Sequence, residues 1–203
     1  MLLYLFRHGE TDYNAQGRMQ GQLDVPLNAD GIAQAVALAQ RLRNAPLTHI
    51  YTSPLSRAAD TAKKIADLRN MPVLTDDRLL EYDMGDWQGM LISEARAQPA
   101  DGDGGVSLEV PGGETAAQMH ARVASFLDNL LVRHTDDARI AISSHGGTLE
   151  AMVGVVLGLP VRRRQPFSFG NVSLSVIQHQ HSRVHPRWKV LTLNDVSHIV
   201  SLP

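Results

Sequence analysis

Leu2-Leu-Tyr-Leu-Phe-Arg7-His8-Gly9-Glu10-Thr11 opens the chain, and Ile140-Ala-Ile-Ser-Ser-His145-Gly146-Gly147 repeats its pattern much later. In each stretch a histidine follows a short, largely apolar run and precedes glycine. Runs of this kind read as buried parallel strands. In open α/β sheets the ligand crevice lies just past the carboxyl ends of such strands. As central neighbours, the two strands would bring His8 and His145 into one cleft with Arg7 beside them. Such a cleft suits an anion, phosphate foremost, with an imidazole as nucleophile.

Strand and helix patterns alternate outward from these two segments. Asn28-Ala-Asp30-Gly31 offers cap residues for a helix with Ile32, Ala35, Val36, Ala39 and Leu42 predicted on one buried face. Thr48 to Thr52 reads as a strand, and Ser53-Pro54 opens a helix running to about Leu68. Met71-Pro-Val-Leu74 suggests a short edge strand. A long helix is predicted from about Glu114 to His134, with Met119, Val123, Phe126, Leu127 and Leu130 on its buried face. After His145 comes an apolar helix ending near Gly158-Leu-Pro160, then alternating strands at Ser173 to Gln178 and Lys189 to Leu193. Periodicity is lost between Glu81 and Pro111, where Ala100-Asp-Gly-Asp-Gly-Gly105 looks most flexible. A lid or insertion around 82–112 within one domain, 1–203, is the expectation. The fold class predicted is α/β, a three-layer α/β/α sandwich with a mostly parallel central sheet.

The 203 residues suffice for a sizeable core, and 43% hydrophobic with 20% charged residues is an ordinary globular composition. A net charge of −2 argues against a general nucleic-acid partner. The absence of cysteine excludes disulfides, thiolate metal sites and cysteine nucleophiles. Arg7 interrupts the amino-terminal apolar run, and the longest apolar segment, Ala151 to Leu159, is too short to cross a membrane. A cytoplasmic protein without a membrane partner is expected.

Five ordered segments carry a family resemblance across essentially the whole chain. They are Arg7-His8-Gly9-Glu10-Thr11 with Asn14; Ser53-Pro-Leu-Ser-Arg57-Ala-Ala-Asp-Thr61; Leu80-Glu81-Tyr-Asp-Met-Gly85-Asp-Trp87-Gln-Gly89; Pro111-Gly-Gly113-Glu114; and Ser144-His145-Gly146-Gly147. Together they resemble the histidine phosphatase superfamily, with its phosphoglycerate-mutase-like fold. The closing Leu193-Asn194-Asp195 and His198 are similar to its usual ending.

The resemblance implies a phosphomonoesterase that forms a phosphohistidine on His8 and acts on a small phosphorylated metabolite. A neutral imidazole is nucleophilic near physiological pH, provided its other nitrogen is held by an acceptor such as a nearby carbonyl. Arg7 and Arg57 suit the phosphate because a guanidinium grips two oxygens at once. Arg57 should also sit near a helix start, where free amides favour an anion. Asn14 adds a neutral donor, and His145, protonated against the bound dianion, adds another. Gln20, Gly21 and Gly146 complete the expected phosphate-binding set. Glu81 is the candidate general acid and base, its carboxyl kept protonated by bound phosphate charge. The arginines and histidines supply the positive charge, so neither a metal nor another cofactor is expected. A homodimer is left open.

Plainer readings compete. His8 could be a structural histidine, Arg57 could make a surface salt bridge, and Glu81 could cap a turn while Asp83 or Asp86 takes its role. Glu10 and Thr11 read as loop organisers, Gln20-Gly21 could simply form a turn, and Trp87 reads as core or pocket wall. His179, His181 and His185 look superficially metal-like but read as solvent-exposed. Arg162-Arg163-Arg164 reads most simply as a solvated loop, with an extension of the anion pocket or an oligomer contact as alternatives. Phosphoglycerate mutase activity could use the same intermediate, and a phosphate-binding scaffold without catalysis is a further alternative. Mutases of the family carry paired arginines in a longer insertion and asparagine where Gly147 stands, whereas this chain has Arg96 alone and an acidic, glycine-rich stretch. Both departures favour hydrolysis, with α-ribazole and broad-specificity phosphatases as the most similar groups.

Overall fold

A computed structural model describes residues 1–97, 110–180 and 187–199 of the protein. At its centre β1 (Leu2–Arg7) and β4 (Arg139–Ser144) run in parallel, with Leu5 opposite Ile142 and Arg7 opposite Ser144. β2 (His49–Thr52) pairs in parallel with the other side of β4, and β3 (Leu74–Thr75) closes that edge. On the other flank β5 (Leu174–His179) lies antiparallel to β1, and β6 (Trp188–Asp195) lies antiparallel to β5. The order is β3-β2-β4-β1-β5-β6, a mostly parallel sheet.

Both faces are covered, which explains why the central strands read as near-continuous apolar runs. Phe6, Ile50 and Ala141 point to one side, where α2 (Ala29–Arg41) and α3 (Ser56–Arg69) pack. Leu3, Leu5, Ile140 and Ile142 point to the other, under α5 (Ala116–Arg133) and α6 (Gly146–Leu157). All five apolar residues predicted for the face of α5 are buried, and a Thr115–Gln118 capping box starts that helix. α6 stops at Gly158, whose φ of 64° lets the chain turn off in the left-handed region.

Several local expectations are corrected. α2 buries Gly31, Ala35, Leu38, Ala39 and Leu42, leaving Ile32 and Val36 at 46% and 45% exposure. The small alanines permit close approach to α3, so the stripe containing them turns inward and the β-branched positions fall on its flank. α3 begins at Ser56, with Leu55 extended before it, so Pro54 lies outside the first turn. His179 is buried at 4% exposure rather than solvated. Strands pair on both sides of β5, and the Trp188 ring lies 4.8 Å from the His179 ring. His181 and His185 lie outside the described residues, as does the glycine-rich stretch Ala100 to Gly105. Two short helices, α1 (Asp12–Ala15) and α4 (Ile92–Arg96), had no periodic signal to announce them. Among the described residues no helix is long and apolar enough to cross a membrane.

The loop after β1 is fixed by backbone contact with the start of α2. Asn28 donates from its backbone N–H to the Glu10 carbonyl at 3.0 Å and from Nδ2 to Glu10 Oε1 at 2.9 Å. A methyl group on Gly31 would overlap the Glu10 carbonyl, and one on Gly9 would overlap that of Gly31. Neither backbone can retreat without moving the His8 loop. Gly31→Ala should therefore cost about 1–3 kcal/mol of stability, read from urea denaturation. Ile32→Ala, on the exposed flank of the same helix, should stay within about 0.5 kcal/mol.

Candidate active site

β1 and β4 end side by side, and the next residue of each is a buried histidine. The His8 and His145 rings have centroids 5.2 Å apart and are tilted by 57°. His8 Nδ1–H donates to the Gly9 carbonyl at 2.7 Å, which sets the tautomer and leaves the Nε2 lone pair available. Burial holds the His8 pKa well below the ordinary histidine value, Arg7 and Arg57 push it further down, and the Gly9 contact opposes them.

The pKa of His145 is likewise held well below the ordinary value, by burial first and then by Arg57, His8 and Arg7. With only the protein's own charges around it, His145 is thus driven towards the neutral form. The charge of a bound dianion would be needed to reverse this. His145 Nε2 lies 2.8 Å from Ser53 Oγ, and its Nδ1 has no hydrogen-bond partner among the described residues.

Arg57, in the first turn of α3, is completely buried. Its Nη1 donates to the Leu23 carbonyl and its Nη2 to the Gly21 carbonyl, both at 2.7 Å. Arg7 Nη1 donates to the Phe169 carbonyl at 2.9 Å. The Nε atoms of both arginines are buried without a partner, and neither side chain forms a salt bridge among the described residues. The surface salt-bridge reading of Arg57 is thereby excluded. Burial pushes the Arg57 pKa down to about 10, which still leaves it charged at neutral pH. Glu81 is the foremost opposing charge for both, yet neither is ion-paired with it, and cations held this way are costly unless an anion joins them.

The neutral donors are pre-aimed. Asn14 Oδ1 accepts from Thr11 N–H and from Asn171 Nδ2, each at 3.2 Å, so its own amide nitrogen is left for the cavity that Asn14 lines. Gln20 Oε1 accepts from the Thr11 hydroxyl at 2.9 Å, with the same consequence for its amide nitrogen. Thr11 and Glu10 organise the loop, as their residue types suggested. Gly21 adopts a φ of 53°, where a Cβ would crowd Met84 at 2.9 Å. Gly146 begins α6 beside the Arg7 guanidinium.

Glu81 follows a single 3-10 turn, Asp77–Leu79, and faces the start of α6. Its Oε2 accepts from Gly147 N–H and its Oε1 from Thr148 N–H, both at 3.1 Å, while Tyr82 N–H adds a third bond at 2.9 Å. Capping and cavity lining thus coincide in one side chain. Arg122 grips Glu114 with two nitrogens, at 2.7 and 2.9 Å, and also donates to the Glu81 carbonyl at 3.1 Å. The Pro-Gly-Gly-Glu segment therefore braces the Glu81 backbone. Asp83 and Asp86 do not line the cavity.

That cavity is about 470 Å³ and is lined by every predicted site residue except His145, which sits behind His8. Tyr82, Glu150, Arg163, Arg164, Ser168 and Phe169 also line it, as do Met19, Trp87 and Ile92. Of the first group, Arg163 and Arg164 lie where the pocket-extension alternative for Arg162 to Arg164 put them, and Glu150 had a usable signal, four residues after Gly146 on the same helix face. The solvated-loop reading of Arg162 to Arg164 fails for Arg163, which is 8% exposed and lies 4.9 Å over the Tyr82 ring. Arg164 pairs with Glu150 at 3.4 Å. Among the described residues no cluster of histidine, aspartate and glutamate could hold a metal ion.

The sequence profile of the histidine phosphatase superfamily (branch 1) matches residues 3–196. The chain belongs to that superfamily. Within it, phosphoserine phosphatase 1 of Hydrogenobacter thermophilus is 38% identical over 97% of this chain and 93% of its own length. The probable phosphoglycerate mutase GpmB of Serratia proteamaculans is 36% identical over 97% of this chain and 94% of its own. A mycobacterial glucosyl-3-phosphoglycerate phosphatase solved with VO3 superposes with a TM-score of 0.84 at 33% identity, covering 95% of this chain and 98% of that one. Members with different named activities thus resemble this superfamily chain to similar degrees.

The lowered values of His8 and His145 have a measurable sign. Unfolded histidines take up protons from about pH 6.5 downward, and these two native rings resist. Their contribution to stability is present above that value and is lost as pH falls towards the lowered native values, by about 1.4 kcal/mol per pH unit for each histidine. Imidazole NMR without added phosphate should find both rings neutral at pH 6, with His8 protonated on Nδ1. A charged His145 signal at that pH would contradict the geometry.

Proposed function

We propose that this protein is a metal-independent phosphomonoesterase working through a phosphohistidine on His8. The observation that carries the reading is a neutral imidazole with a free Nε2, set beside two guanidinium groups that form no ion pair among the described residues. Nε2 attacks phosphorus, the ester P–O bond breaks, and Glu81 gives a proton to the departing alcohol oxygen. Glu81 then takes a proton from water, whose oxygen attacks the phosphohistidine and releases inorganic phosphate. Arg7, Arg57, Asn14 and Gln20 hold the phosphoryl oxygens throughout, with the Gly21 and Gly146 backbone close by. His145 donates once the bound charge has protonated it. The substrate is a small phosphorylated metabolite, and Tyr82, Met84, Trp87, Ile92 and Ala95 line the cavity beside its alcohol half.

Two observations favour water over a second sugar or acid hydroxyl as the final acceptor. The first is Gly147, where a side chain would come within 2.6 Å of the Tyr82 ring and 2.7 Å of Glu81 Oε1. An asparagine there would displace the general acid. The second is that phosphatase names stand on both the 38% relative and the superposed mycobacterial structure. The mutase reading is favoured by the name of the 36% relative, and it needs the same His8 intermediate.

Hydrolysis of p-nitrophenyl phosphate should survive a chelator and vanish in His8→Ala. Alkali-quenched wild type should carry its phosphoryl label on His8, because a phosphoramidate survives base and is lost in acid. Phosphoglycerate interconversion faster than phosphate release would favour the mutase, and phosphate binding without turnover of any ester, α-ribazole 5′-phosphate included, would leave only a scaffold. Arg57→Ala should lower kcat by roughly 10²–10³, as loss of one preorganised donor does elsewhere.

A further inference from the structure

Glu150 is a buried carboxyl that the proposed chemistry leaves unused. It projects from α6 four residues beyond Gly146, which places it on the same helix face and about 6 Å further along the axis. Its Oε2 accepts from Gln165 N–H at 3.2 Å. Its Oε1 has a long 3.4 Å contact with Arg164, whose side chain is 71% exposed and holds it weakly. An ionised carboxylate can accept about four hydrogen bonds, so much of this one's capacity is uncommitted. It nevertheless forms part of the wall of the cavity that contains His8 and Glu81.

We infer that Glu150 is the specificity contact for the leaving group, accepting a hydrogen bond from a hydroxyl or ammonium on the alcohol half of the substrate. This rests on the phosphatase reading above. A phosphoryl group between Arg7 and Arg57 puts the ester oxygen near Glu81, and the offset along α6 reaches two or three bonds beyond it. Ser168 lines the same cavity, whereas Met19, Trp87 and Ile92 supply apolar lining. The favoured substrate is therefore a phosphomonoester of a short polar alcohol with a donor on the second or third carbon, rather than a plain alkyl ester. Burial raises the Glu150 carboxyl to about 7, with Glu81 adding to the rise and Arg164 and the Gln165 N–H opposing it. A donor from substrate would offset that burial cost.

The test compares 2-aminoethyl phosphate, glycerol 1-phosphate and propyl phosphate, which offer an ammonium, hydroxyls and no donor. Wild type should favour one or both donor-bearing esters over propyl phosphate by roughly 10- to 100-fold in kcat/KM, the worth of one hydrogen bond to a charged group. Which ester leads distinguishes ammonium from hydroxyl recognition. In Glu150→Gln the ratio to propyl phosphate should fall at least roughly fivefold for an ammonium, because the charge is gone. Glu150→Met should remove it for either donor. Calorimetric binding of the same esters to His8→Ala should show the same order without turnover. Absence of a preference in wild type, or a preference that survives Glu150→Met, overturns the inference. Selective binding in His8→Ala with no hydrolysis by wild type overturns the phosphatase reading instead and leaves the Glu150 contact standing.

Discussion

Positive charge held without a direct ion pair is the constraint around which this site is built. Arg7 and Arg57 both lack an ion pair among the described residues, and each keeps a buried Nε–H without a partner. Three of the remaining guanidinium hydrogens are given to the carbonyls of Phe169, Leu23 and Gly21, which hold the planes in place and leave the others for an anion. The arrangement has a chemical consequence next door. The same cations, together with burial, keep both imidazoles neutral, so His8 is nucleophilic where an exposed histidine would be partly charged. Charge meant for the phosphate thus also prepares the group that attacks it.

The positions of these groups follow from strand order. Because β1 and β4 are register partners up to Arg7 and Ser144, the residues after them cannot help being neighbours. His8 donates its backbone N–H to the Ser144 carbonyl at 3.0 Å, extending the ladder by one residue into the site. Arg57 comes from a different element, but its helix follows β2, the other partner of β4. Three neighbouring parallel strands therefore deliver the proposed nucleophile, its companion histidine and the deepest arginine to one sheet end, where open α/β sheets hold their ligands.

Much of this was legible because its information is local. Apolar runs ending before glycine marked β1 and β4, and the heptad-like spacing of Met119 to Leu130 marked α5. What escaped was set by tertiary choices between near-equivalent local patterns. α2 had two candidate buried faces separated by about one residue in helical phase, and contact with α3 selected the one rich in alanine. His179 read as exposed because its strand alternates, but burial was decided by β1 and β6 on either side. Arg163 belongs to a loop without periodicity, and contacts with the Tyr82 ring, Met84 and Glu114, all distant in sequence, place it in the cavity wall. The neutral state of His145 in the absence of an anion was not legible either, because it depends on burial and on arginines distant in sequence.

The start of α6 shows how one structural resource is divided between two tasks. Its free amides and dipole would suit a phosphate, and a sequence of histidine followed by two glycines invites that reading. In the structure the Gly147 and Thr148 amides are instead given to Glu81, whose carboxylate occupies the helix terminus. In the proposed chemistry phosphate recognition falls correspondingly on side chains, the two guanidiniums and the amides of Asn14 and Gln20. This division fixes the proposed general acid, Glu81, relative to His145, since both are anchored to the first residues of one helix. It also explains the need for glycine at 147. Any Cβ there would meet the carboxyl that the neighbouring amides hold, so the acid could keep its place only if the residue beneath it had no side chain.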